Sequence, residues 1–137
     1  MTNAAVQAPS ALRPAKMIFL KLVVADLDAM VDFYQRAFGL VATRTIEMDD
    51  LKEVILQRSA DDKGPSLILY FHKDCRPLTV GSAHGPVGLA VEDVDRAFAH
   101  AIVQGAVAVR EPFDVPGMRV AFVADPEGHE IEMVRFK

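Results

Sequence analysis

A single cysteine, Cys75, stands among 137 residues, so no disulfide can close within the chain, and such usage suits a reducing cytoplasm. There is no block of basic residues, and the formal net charge is −4, which argues against nucleic acid as a partner. No apolar run is long enough to cross a bilayer. The opening MTNAAVQAPSALRPAK has neither the charged start nor the apolar stretch of a secretory signal, and residues 1–16 read as a flexible arm. A glycine-rich phosphate loop and a Ser-His-Asp arrangement are both missing. What is present is 51% apolar and 25% charged, the balance of a soluble domain with enough chain to bury a core.

MIFLKLVV (Met17–Val24) reads as a strand, with Phe19, Lys21 and Val23 on one face and Leu20, Leu22 and Val24 on the other. A helix follows. Asp26 is its N-cap, Leu27, Met30, Val31, Tyr34 and Phe38 form its apolar stripe, and Gly39 stops it. Three strands are expected at Leu40–Met48, Leu51–Arg58 and Ser66–Phe71, parted by Asp49-Asp50 and by the turn-forming segment Asp61 to Pro65.

The second half repeats this order. Val24, Asp26 and Asp28 recur 67 residues later as Val91, Asp93 and Asp95, and Gly39, Val41 and Arg44 recur 66 residues later as Gly105, Val107 and Arg110. A strand at Gly85–Val91, a helix at Asp93–Gln104, and strands near Ala106–Arg110, Arg119–Ala124 and Glu130–Arg135 complete the copy. The fold class expected is therefore α+β, with two βαβββ modules (17–71 and 85–137) joined by a linker (72–84) within a single domain at 17–137. The sheets line an incomplete barrel-like cavity and the helices lie outside it. EPFDVPGM (Glu111–Met118), with its prolines and glycine, reads as a loop over the cavity mouth. Open sheet edges and exposed apolar surface point to a homodimer.

VADLDAMVDFYQRAFGL in the first module, and GLAVEDVDRAF and FVADPEGHEIEMV in the second, resemble the vicinal oxygen chelate superfamily. That group includes glyoxalase I, extradiol dioxygenases, methylmalonyl-CoA epimerase and the fosfomycin- and bleomycin-resistance proteins. The resemblance spans Met17 to Arg135 and implies a small-molecule pocket, without implying one reaction. In metal-using members the ligands come from the inner faces of the first and last strands of each module. Carried over by position, these fall on Phe19, on Leu69 (or Ile68 if the register slips), on Pro86 and on Glu132. Phenylalanine, leucine and proline offer no donor atom, and a lone carboxylate is a weak grip on a divalent ion.

Two functional readings follow. In one, no cofactor is needed: a metal-independent pocket lined by Phe19, Val23, Leu69, Phe71, Pro86 and Gly88 takes a small, partly apolar organic molecule. The protein then either binds it or acts on it through Glu132, Lys21 and His84 as acid–base groups. In the other, a divalent metal sits on ligands rebuilt from Glu132, His84 and His72, and the protein is a lyase, isomerase or dioxygenase. Strand alternation puts Glu132 opposite Ile131 and Met133, hence inward. Lys21, on the inner face of the first strand, is the nearest expected cation for Glu132, or else a lysine at the rim. Glu130, His100 and His129 read as surface residues, and Cys75 as incidental.

Overall fold

The structure, a computed structural model, describes residues 12–137; of the expected N-terminal arm, residues 1–11 lie outside the described residues. The first module runs β1 (Phe19–Val23), α1 (Leu27–Phe38), β2 (Val41–Glu47), β3 (Leu51–Gln57) and β4 (Ser66–His72). The second runs β5 (Val87–Ala90), α2 (Val94–Val103), β6 (Val107–Val115), β7 (Met118–Ala124) and β8 (Glu130–Phe136). Each forms a four-stranded sheet, ordered β1-β4-β3-β2 and β5-β8-β7-β6. In both, the first strand lies parallel to the fourth and the remaining pairs are antiparallel. The α+β class and the doubled βαβββ order are as expected, and the sheets are open. Among the described residues, no helix is long and apolar enough to cross a membrane.

The two helices begin alike, because the duplicated aspartates cap them alike. The Asp26 carboxylate accepts from the Ala29 N–H at 3.1 Å and the Asp93 carboxylate from the Arg96 N–H at 3.0 Å, which satisfies a donor the first turn leaves open. Gly39 ends α1 at φ 68°, and its N–H reaches the Gln35 carbonyl at 2.9 Å; the left-handed conformation favours glycine there.

Each helix covers one face of its own sheet. Met30, Phe33 and Ala37 of α1 pack with Leu22, Leu56, Leu67 and Leu69, while Val94 and Ala101 of α2 belong with Ala121, Val123, Ile131 and Met133. These form one continuous core, because the helices also meet: Arg36 donates to the Gln104 side chain at 2.6 Å, and His100 Nε2 lies 2.7 Å from the Arg36 carbonyl.

Two expectations need correction. EPFDVPGM is not a loop: Glu111 to Val115 continue β6, and Gly117 turns the chain straight into β7. Pro112 is tolerated because β6 is an edge strand and its pairing is irregular between Arg110 and Phe113. His129 is not a surface residue; it is buried, together with Asp125.

That pair fastens one module to the other. Asp125 Oδ2 accepts from the Tyr34 hydroxyl of α1 at 2.6 Å and meets His129 Nδ1 at 2.8 Å, while Oδ1 accepts from the Glu127 and His129 N–H groups at 2.9 and 3.0 Å. His129 Nε2 lies 3.1 Å from the Val23 carbonyl, at the end of β1. In the same turn, the Glu127 carboxylate accepts from the Ala25 and Asp26 N–H groups at 2.7 and 2.8 Å. A ring with an acceptor at each nitrogen favours the imidazolium, which alone donates from both. The hydrogen bond to Asp125 accordingly raises the His129 pKa above its usual value, although burial opposes this. Burial pushes Asp125 upward, but hydrogen bonds from His129 and Tyr34 outweigh it and leave its carboxyl below the usual value.

Removing either member leaves a buried charge unpaired, which costs about 3–5 kcal/mol. The His129 contribution is complete below the unfolded histidine value and fades as pH rises through the raised folded value. The Asp125 contribution is complete above the unfolded aspartate value and fades as pH falls through the lowered one. The pair is therefore worth most between about pH 4 and 6.5. In urea unfolding across that range and up to pH 9, His129→Gln should be destabilised most at the acidic end, with its deficit against wild type shrinking above neutrality.

Candidate functional site

Opposite its helix, each sheet leaves a face uncovered. On the first sheet this face carries Phe19, Lys21 and Val23 of β1, Ile68, Tyr70 and His72 of β4, and Glu53 and Ile55 of β3, since paired residues share a side. On the second it carries Gly88 of β5, Glu132 and Val134 of β8, Phe122 of β7 and Arg110 of β6.

Glu132 stands where strand alternation puts it: Ile131 and Met133 are fully buried against α2, and Glu132 faces the other way, partly buried. The fourth-strand position is different. Lys21 pairs with Ile68 as Gly88 pairs with Glu132, so Ile68, and not Leu69, is the counterpart of Glu132. Leu69 is fully buried in the helix-covered core and Phe71 packs against that core, so neither lies on the uncovered face. The residues that do are Ile68, Tyr70 and His72. Ser66–Phe71 is almost continuously apolar, and without alternation no sequence signal fixes which side faces in.

Lys21 is on the expected face with a different partner. Its Nζ lies 2.7 Å from Glu53 Oε2, and it sits over the rings of Phe19 and Tyr70, 5.4 and 5.3 Å from their centroids. Glu53 is buried while the lysine is about a third exposed, so the carboxylate depends on the ammonium more than the reverse. Sequence reasoning missed Glu53; the available signal was its place in LKEVILQ, where it alternates with the core-facing Val54 and Leu56.

Beside the β1 edge lies a hollow of about 820 Å³, within the range of small-molecule sites. Lys21 and Val23 line it from β1, His84 and Val87 from the linker end and β5, Leu78 from the linker, and Glu130 from β8. It therefore gathers three of the expected site residues, Lys21, Val23 and His84. Glu132, Phe19, Pro86 and Gly88 are not among its lining residues. The His84 ring nitrogens face the Val80 and Gly85 carbonyls at 2.9 and 3.1 Å. These hydrogen bonds, Gly85 first, hold its pKa above the usual value.

The donor set does not suit a divalent ion. Phe19, Ile68 and Pro86 offer no oxygen, nitrogen or sulfur at three positions, and Glu132 is the one carboxylate. Among the described residues, no three His, Cys, Asp or Glu side chains gather as such an ion requires; His72, His84 and Glu132 are no exception.

This doubled module defines a class, and the chain's sequence confirms it. Residues 16–133 match the Glyoxalase/Bleomycin resistance protein/Dioxygenase superfamily, and the chain belongs to that superfamily. It is similar to a probable lactoylglutathione lyase of Vibrio cholerae, with 27% identity over 126 residues, covering 89% of this chain and 91% of that one. Its structure resembles the trypanothione-dependent glyoxalase I of Leishmania major, with a TM-score of 0.78 and 26% identity over 89% of this chain and 87% of that one. The maize glyoxalase I shares the fold at a TM-score of 0.79 and 23% identity, and this chain spans 44% of its length.

Lys21→Met should leave Glu53 buried without its cation and destabilise the protein by about 1–3 kcal/mol in urea. Adding Glu53→Leu to that variant should recover most of the loss. Equal and additive losses would show that the pair does not interact.

Proposed function

We propose that the chain is a metal-independent member of its superfamily whose pocket holds a small, partly apolar organic molecule. The single observation that carries this is the donor set: Phe19, Ile68 and Pro86 stand where the metal-using pattern calls for ligands, and only Glu132 remains. Rings and aliphatic side chains in those places suit an organic ligand better than a cation needing three or four fixed donors. Glu132, which has no partner among the described residues, is the group for acid–base work or for holding a polar end of the ligand. The Lys21–Glu53 pair orients from the other sheet. His84, with both ring nitrogens engaged by carbonyl oxygens, supports a role in shaping the linker wall rather than in proton transfer.

A second reading has support from the relatives' names. Lactoylglutathione lyase and glyoxalase I are the activities attached to similar proteins, which favours a lyase or isomerase using a divalent metal on rearranged ligands. Metal analysis of tag-free protein separates the two. The first reading expects far less than one equivalent of metal in wild type and in Glu132→Gln alike, together with a small organic molecule released on denaturation and identified by mass spectrometry. A stoichiometric, chelator-removable metal that supports lactoylglutathione lyase activity overturns it.

The working unit proposed is a cytoplasmic homodimer, each chain being one domain of modules 17–71 and 85–137 joined by linker 72–84. Its support is an apolar edge: Met17, Ile18, Phe19 and Leu20 are 81, 58, 45 and 46% exposed on and beside β1, an edge strand. Such an edge is normally covered. Sedimentation at micromolar concentration should give a dimer, and Leu20→Lys should shift it toward monomer.

A further inference from the structure

The internal duplication allows one module to be measured against the other. Lys21 of β1 and Gly88 of β5 hold the same place, since each pairs with the fourth-strand residue on the uncovered face, Ile68 in one case and Glu132 in the other. In the first sheet that place is filled by an alkylammonium supplied by the chain itself, held by the Glu53 carboxylate at 2.7 Å and flanked by the rings of Phe19 and Tyr70. In the second sheet the side chain is missing. A Cβ added at Gly88 would meet nothing within 4 Å, so the space above it is open. Gly88 is not at a positive φ, so its backbone conformation does not require glycine.

The surroundings of that space share a carboxylate with those of Lys21, while by register the places of Glu53, Phe19 and Tyr70 fall on Val120, Pro86 and Val134. Glu132 stands on the adjacent strand, directly opposite Gly88, and so one strand nearer the gap than Glu53 is to Lys21. Phe122 lies opposite Glu132 on the same face, and its ring stacks on Phe113 at 6.4 Å. Beyond them the Arg110 guanidinium lies over the Phe113 ring, 3.9 Å from the centroid, placing a positive charge at the far end of the row and leaving the Glu132 end negative.

We propose that the second sheet is a site for an organic ammonium group carried by the ligand, seated above Gly88 against Glu132 with its apolar stem over Val134. This rests on the metal-independent reading above and gives its ligand a class: a primary amine on an aliphatic stem, the chemistry of the lysine side chain that fills the equivalent place in the first sheet. A carboxylate accepts the charge-assisted hydrogen bond, and a flexible stem covers apolar surface as lysine does.

The probe is n-butylammonium, the lysine side chain as a free molecule, titrated into isotopically labelled protein and followed by backbone amide NMR, with n-butanol as the neutral control at matched ionic strength. Saturable shifts at Gly88 and Glu132 are expected with the ammonium and not with the alcohol. Glu132→Gln should weaken binding about tenfold, as loss of one charged hydrogen bond predicts. Gly88→Lys should abolish it by supplying the ammonium from the chain, while keeping a melting temperature no lower than wild type. Equal binding of butanol, or full affinity in folded Glu132→Gln, overturns the proposal. Metal content measured on the same samples keeps the two claims apart. Metal-free protein that ignores n-butylammonium refutes the ammonium site alone, whereas a stoichiometric metal released by Glu132→Gln refutes both.

Discussion

The Asp125 carboxylate is the interaction on which the arrangement depends. It is buried, and an ion in such a place is tolerated only when its lone pairs are answered. Four donors answer them: a phenol from α1, an imidazole, and two backbone N–H groups of its own turn. Because Tyr34 comes from the first module and the remaining donors from the second, the charge is satisfied only when the modules are docked. Burial and the neighbouring Asp125 charge push the Tyr34 phenol far above its ordinary pKa, so it serves as a donor throughout the working pH range. His129 then passes the connection on to the Val23 carbonyl, at the end of the strand that also carries Lys21.

With the modules held in that relation, the helices stand side by side and each sheet turns its other face outward. The same alternation that commits Ile131 and Met133 to the core commits Glu132 to the uncovered face, and that which commits Leu22 to the core commits Lys21 likewise. Two uncovered faces of different composition result. One is closed by an internal ion pair and the other is open above a glycine.

Much of this was legible in the sequence because period and punctuation agreed. The capping aspartates, the glycine stop of α1 and the recurrence at 66 and 67 residues placed both helices and the strand order, and HEIEMV alternates cleanly enough to orient Glu132. Where the signal was weak, the cause was physical. SLILYF is apolar on both sides, so its register emerged only from pairing with β1. Pro112 and Pro116 suggested a loop, but an edge strand with irregular pairing absorbs the first and a hairpin turn takes the second. His129 looked like a turn residue because the Val23 carbonyl it reaches lies 106 positions away, and no local pattern encodes such a contact. Glu53 alternates with the core-facing Val54 and Leu56, but its partner Lys21 lies on another strand, so the pairing itself was not legible.

Glu127 occupies the N–H groups of Ala25 and Asp26, just ahead of the first helix. During synthesis the chain emerges N-terminus first, so the whole first module leaves the ribosome while the residues that tie down its helix entry and its tyrosine are still untranslated. Its sheet can pair and its core can begin to collapse, but its polar anchoring waits for the turn at Asp125–His129. The last turn to be made is therefore also the latch, and a chain truncated before it keeps its first βαβββ unit with a dangling phenol and an apolar edge, a natural substrate for chaperones or proteases.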